Sequence, residues 1–185
     1  MSRKDRFKPL ILSLFIILAD QISKALVCKY IPEGAIYRVI GDDLIWICHA
    51  KNTGIAFGMG AAGSDFVRVL MFILFPAAVI LYLTYLAVTG KKDLTELQRW
   101  CAAGIIGGSI GNLIDRIFRY KSGGVVDFIS VKFFGILGID RWPTFNIGDS
   151  FVVVFVFIFA GSVMLSEKKK DKKTDVKVRS FQRGK

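Results

Sequence analysis

The chain has 185 residues, 53% of them hydrophobic, and a mean hydropathy of +0.49; this excludes an ordinary soluble domain, because the apolar residues fall in long blocks that call for lipid. The formal net charge of +11 does not make it a nucleic-acid binder. Nine of the 26 Lys and Arg follow Glu167 and four lie in the first eight positions, flanking apolar runs, with Phe7 and Phe181 the only interleaved aromatic residues, which is the pattern of a membrane protein's cytoplasmic flanks.

Residues 1–8 form a basic lead, followed by Pro9 and the apolar run Leu10–Ala19. This resembles the front of a signal peptide, but no small-x-small cleavage site follows. Residues 9–28 are therefore expected to be an uncleaved first span of about 20 residues, the length a bilayer core requires. Leu26-Val27-Cys28 hints at a lipobox, although Val27 is a poor residue before a lipidated cysteine. Asp20 and Lys24 share one helical face. They read equally well as a neutralised pair with Lys24 snorkelling outward or as a brace for a polar site. Beyond the span, Ile36–Ile40 and Leu44–His49 flank the turn Gly41-Asp42-Asp43 and predict a hairpin. The next loop, Asn52-Thr53-Gly54-Ile55-Ala56-Phe57-Gly58, is too apolar for open water and is expected at head-group level. Asn52 and Gly54 could there be ordinary turn residues.

Phe66–Val88 (66–88) predicts a second span, charged only at Arg68, and Thr89–Gln98 a polar turn-back. The third span, 99–114, carries overlapping Gly104/Gly108 and Gly107/Gly111 pairs that allow helices to approach closely. At its end Asn112, Asp115 and Arg116 are spaced to share one face. Val125–Phe134 reads as a strand that sets Asp127 at the membrane surface. The fourth span covers 146–165, with Asn146 and Asp149 on its first turn, and the basic tail 167–185 is expected to be disordered. Basic residues crowd both termini and the 89–99 turn, so both termini are expected in the cytoplasm and both aspartates at the outer leaflet. Cys28, Cys48 and Cys101 are isolated, and His49 is the sole histidine, so no zinc site is expected. Free thiols are the default, with a Cys28–Cys48 bridge left open.

Asp127 sits within Val125-Val126-Asp127-Phe128-Ile129, and Asp149 precedes ten residues without a polar side chain, Phe151–Ala160. An isolated carboxylate so close to lipid is costly and marks a candidate site. Two such acids brought together share a proton, with one able to activate a water and the other able to protonate the leaving amine. Serine–histidine catalysis would need His49 and lacks a nucleophile-elbow motif. A serine–lysine pair using Lys24 with Ser23, Ser109 or Ser150 stays open.

Five stretches in order, Asp20-Gln21-Ile22-Ser23-Lys24, Asn52–Phe57, Gly107–Arg116, Val125–Ile129 and Phe145-Asn146-Ile147-Gly148-Asp149, resemble the lipoprotein signal peptidase (signal peptidase II) family over nearly the whole chain except the tail. The resemblance implies an all-α membrane protein: a four-transmembrane-helix bundle with a small extracytoplasmic β-cradle, in the bacterial inner membrane. It implies an aspartyl endopeptidase that removes the signal peptide of a prolipoprotein, cutting before the cysteine that carries diacylglycerol. By motif, Asp127 and Asp149 match the catalytic pair. Asp20, Lys24, Asn52, Asn112, Asp115, Arg116 and Asn146 match the supporting polar positions, and Gly54 is counted with them. Ile55, Ser109 and Gly148 depart from the usual Ala, and none of these departures replaces an acid. No cofactor is expected. The expected partners are the lipidated substrate and membrane lipids, and the expected state is a monomer. The loop at Gly54–Gly60 is expected to cover bound peptide. The runner-up is a small proton-coupled transporter lined by the buried Asp and Lys residues. Against it, the acids cluster near one face and the chain has no repeated half. A third reading, an accessory protein held by the glycine pairs, leaves both acids unexplained.

Overall fold

A computed structural model describes residues 4–53, 65–89, 94–119 and 124–183. Helix α1 spans Leu10–Tyr30. Its buried residues, Ser13, Ile16, Asp20, Lys24 and Val27, form one stripe at helical spacing, while Ile11, Leu14, Phe15, Leu18, Ile22 and Leu26 point outward and are exposed. Ser13, Asp20 and Lys24 face in beside Ile16 and Val27, and the outward face is apolar. That is the arrangement of a helix whose outer solvent is lipid.

Strands β1 (Ile36–Ile40) and β2 (Ile45–Asn52) form the expected hairpin. Helix α2 (Asp65–Val69) passes through one π turn, Leu70–Leu74, into α3 (Phe75–Thr89). The π turn lies beside Pro76, which has no N–H to give to the carbonyl four residues back. Helix α4 (Glu96–Phe118) opens on a capping box: Gln98 N donates to Thr95 Oγ1 at 3.2 Å and Thr95 N to Gln98 Oε1 at 3.0 Å. Strands β3 (Val125–Ile136) and β4 (Ile139–Arg141) follow, and α5 covers Ile147–Arg183.

The four strands are antiparallel in the order β1-β2-β3-β4. Phe145 adds a short bridge to this sheet: Phe128 N and Ile129 N donate to Phe145 O at 3.0 and 2.8 Å, and Phe145 N to Ile129 O at 3.0 Å. This bridge sets the first turn of α5 against β3. Val27, Val126 and Phe128, packed by Ile31, Ile47, Ile129 and Ile147, tie the end of α1, the sheet and the start of α5 into one apolar cluster.

Helix α4 lies at the centre and is buried along most of its length. Its two overlapping glycine pairs serve different neighbours. A Cβ at Gly104 would strike Phe155, and one at Gly108 would strike Gly148 and Val152, all on α5. A Cβ at Gly107 would lie 2.8 Å from Ser13 O and 2.9 Å from Ser13 Cα, and one at Gly111 would strike Asp20, both on α1. Ser13 Oγ also donates to Ala103 O at 2.6 Å across that seam. Because the obstacle at Gly107 is backbone, Gly107→Ala must push α1 away; a stability loss of about 1–3 kcal/mol is expected from such overpacking, read as a lower Tm in detergent.

Among the described residues three helical stretches, Leu10–Tyr30, Leu70–Thr89 and Ile147–Ser166, are by themselves long and apolar enough to cross a membrane, where four spans are expected. Helix α4 falls short because glycines, alanines and Glu96, Arg99, Asp115 and Arg116 dilute it. Packed on α1, α3 and α5, it does not need an apolar surface all round. The region from 167, expected to be disordered, continues α5 as helix to Arg183. Its many Lys residues are good helix formers, and they extend a helix already nucleated by the span, so no new nucleus is needed.

Candidate active site

Asp127 lies on β3, 2% exposed, paired in register with Ala50 of β2. Asn52, at the end of β2, donates through Nδ2 to Asp127 Oδ2 at 2.9 Å. Asn146, fully buried where the Phe145 bridge leads into α5, donates through Nδ2 to Asp127 Oδ1 at 2.8 Å. Its backbone N–H donates to Asp149 Oδ2 at 3.1 Å. In return Asp149 N donates to Asn146 Oδ1 at 2.9 Å, so Asn146 caps α5 and Asp149 reaches back to it as in a capping box. Asn112 on α4 donates through Nδ2 to Asp149 Oδ1 at 2.7 Å, and its Oδ1 accepts from Asn146 Nδ2 at 2.9 Å. One asparagine thus touches both acids, and a second ties it to α4.

Burial pushes the Asp127 carboxyl up to about 6; the Asn52 hydrogen bond opposes the shift and the nearby Asp149 charge adds to it.

Beneath the acids lies a buried ionic cluster. Lys24 Nζ meets Asp20 Oδ2 at 2.7 Å, Asp115 Oδ2 at 2.9 Å and Asn112 Oδ1 at 2.8 Å, and the side chains of Lys24, Asp20 and Asp115 are fully buried. The brace reading of Lys24 holds, and the snorkelling one does not. An ammonium has three N–H donors and here three oxygens take them, so Lys24 has no place for a serine and the serine–lysine reading falls. Asp20 Oδ1 also accepts from Gly148 N at 2.9 Å, which links the cluster to the turn bearing Asp149. Arg119 Nε lies 3.5 Å from Asp115 Oδ1 and offsets the second carboxylate.

Arg116 reaches toward the π turn. Its Nη1 donates to Phe72 O at 3.2 Å, and its guanidinium lies 5.1 Å from the Phe72 ring centroid. Phe72 O is the carbonyl that Pro76 leaves without its helical donor. Arg116 and Asn52 line a cavity of about 250 Å³ together with Thr53, Phe72, Ile73 and Gly124. Gly54 and the rest of the loop expected to cover the peptide lie outside the described residues. Gln21 was missed as a site residue: its Nε2 donates to Gly111 O at 3.0 Å, Asp115 Oδ1 at 3.3 Å and Asp20 Oδ2 at 3.2 Å. Its position next to Asp20 was the available signal. Arg119 was missed as well, and its spacing of four from Asp115 could have shown it. All three cysteines are free thiols, with Cys28 exposed and Cys48 and Cys101 buried.

A family model for signal peptidase (SPase) II matches residues 12–165. The chain belongs to the signal peptidase II family. It is therefore a peptidase of lipoprotein processing. The chain is 46% identical over 152 residues to the lipoprotein signal peptidase of Treponema denticola, covering 82% of this chain and 86% of that protein. It is 40% identical over 156 residues to that of Borreliella burgdorferi, covering 84% and 89%, and 38% identical over 167 residues to that of Treponema pallidum, covering 90% and 88%. Two solved bacterial membrane enzymes, each 24% identical, share the fold. One has a TM-score of 0.68 over 84% of this chain and 92% of its own, and the other 0.71 over 88% and 91%.

Proposed function

We propose that this signal peptidase II cuts diacylglyceryl-modified prolipoproteins before the lipidated cysteine, with Asp127 and Asp149 as the catalytic pair acting on one water. The observation that carries the reading is Asn146, which binds Asp127 through its side chain and Asp149 through its backbone N–H. One carboxylate takes a proton from the water as it attacks the scissile carbonyl. The other, protonated, donates to the developing oxyanion and then to the leaving amine. Asp20, Lys24, Asn112, Asp115 and Asn146 hold the pair, Asn52 orients Asp127, and Arg116 and Gly54 serve the peptide side.

Helix α4 is the fourth span. Basic residues flank both ends of the chain, and only an even number of crossings leaves both termini in the cytoplasm. The acids then lie toward the outer leaflet, where lipidation holds the scissile bond. An apolar groove of about 410 Å³ lined by Val131, Phe133, Trp142, Phe145, Val153 and Val154 opens beside Asp149 and suits the lipid-modified cysteine. The enzyme acts as a monomer among membrane lipids. The test is cleavage of a lipidated precursor by the purified protein in detergent, with the cut located by mass; an intact precursor would refute it.

The working pair needs one proton. Asp127, at about 6, is protonated below that pH and ionised above it. kcat/KM is therefore expected to fall as pH rises through about 6, with the corresponding limb in kcat displaced upward because bound peptide removes more water from the acids. pH–rate profiles check this, and a profile flat across that range would contradict it.

A further inference from the structure

Outside the catalytic pair, β2 carries a second constellation. Between Ile47 and Ala50 the register of β2 against β3 shifts, so two residues, Cys48 and His49, stand opposite one. Both are buried in succession. The shift turns the His49 ring toward the end of α1. There its Nδ1 lies 2.8 Å from Ile31 O. A carbonyl only accepts, so Nδ1 carries the proton, and in the neutral ring Nε2 presents a lone pair. Nε2 lies 3.8 Å from Cys28 Sγ. From the other side Arg119 Nη1 donates to the same sulfur at 3.8 Å.

A nucleophile, a base with its tautomer set by a third group, and a cation thus converge on one exposed thiol. They line a cleft of about 700 Å³, within the size range of small-molecule sites. Its charged residues are Lys29, Lys51 and Arg119 against Glu33. Glu33 is already paired with Lys51 at 2.7 Å and Arg119 lies 3.5 Å from Asp115, so Lys29 tips the balance of these lining charges toward an anion.

We propose that this cleft is a thiol–disulfide exchange site, with Cys28 as the attacking thiol and a small disulfide bearing carboxylates as the ligand. The Cys28 S–H proton passes to His49 Nε2. The sulfur attacks one sulfur of the ligand disulfide, forming a Cys28–S–S–R bond as the old S–S bond breaks. The second half leaves as a thiolate and takes the proton from imidazolium or water. Arg119, with Lys29, holds the ligand's carboxylate. The site does not depend on the catalytic assignment of Asp127 and Asp149.

The test reacts the purified full-length protein in detergent with dithiobis(nitrobenzoate), an aromatic disulfide with two carboxylates, and with its neutral counterpart dithiodipyridine. Released chromophore gives the rate, and the mass of proteolytic fragments locates the adduct. Relative to a short peptide carrying the sequence around Cys28, the folded protein is expected to react about tenfold faster with the dianionic probe. His49→Gln is expected to slow both probes, and Arg119→Gln to slow the dianionic probe more than the neutral one. Cys28→Ser is expected to abolish the adduct. Since the first two variants can perturb packing, the wild-type comparison stands by itself: a folded rate no greater than the peptide's overturns the proposal. So does an adduct that persists in Cys28→Ser.

Discussion

Asp127→Asn and Asp149→Asn are each expected to lower cleavage of a lipidated precursor by at least about a thousandfold, in the upper part of the range for loss of a general acid or base. An amide cannot take the water's proton and cannot give one up at neutral pH. The substitution preserves shape, and its single amide oxygen can keep one of the two hydrogen bonds at each position: that from Asn52 or Asn146 at 127, and that from Asn112 or the Asn146 backbone at 149. Burial already disfavours the charged form of Asp127, so removing the charge offsets the one hydrogen bond lost and Tm is expected to change little. That combination separates catalysis from scaffolding. A variant that melts early and retains turnover among its folded molecules would mark the acid as structural, and the catalytic reading would be withdrawn.

Lys24→Met carries the second large effect, on stability. The substitution removes the ammonium that bridges Asp20 and Asp115, both fully buried. Breaking a buried ion pair by deleting one partner costs about 3–5 kcal/mol, because the remaining charge is stranded, and that is comparable to the whole stability of many domains. The effect also reaches the acids, since Asn112 Oδ1 accepts from Lys24 Nζ while its Nδ2 holds Asp149. Little protein folded at ambient temperature is expected, measured by thermal unfolding in detergent. Adding Asp20→Asn and Asp115→Asn to Lys24→Met should restore most of the loss. The amide at 20 can still accept from Gly148 N, and no net charge stays buried. A Lys24→Met protein within about 1 kcal/mol of the parent would show that the ions are solvated, contrary to their burial.

The elements themselves are visible in the residues because their causes are local. Apolar length and basic flanks mark α1, the α2–α3 stretch and α5, while the alternation around Gly41-Asp42-Asp43 marks the β1–β2 hairpin. Asp127 and Asp149 stand out because a carboxylate in an apolar run is costly wherever the run is placed. The extension of α5 past Glu167 was not legible in the same way. Composition there argues for disorder, and only the preceding span supplies the helix nucleus.

What the sequence determined by itself is therefore which segments need lipid, which face of each helix is polar, and which acids are out of place. Periodicity within one element can say no more than that. The tertiary structure decided which neighbour each face meets. Two overlapping glycine pairs on α4 close on two different helices. Arg116 donates to the Phe72 carbonyl on the π turn, and Asn146 reaches both acids because the Phe145 bridge docks α5 against β3. The reason is physical: these contacts join residues far apart in the chain, and packing between elements, rather than any local preference, decides among the partners each side chain could have had.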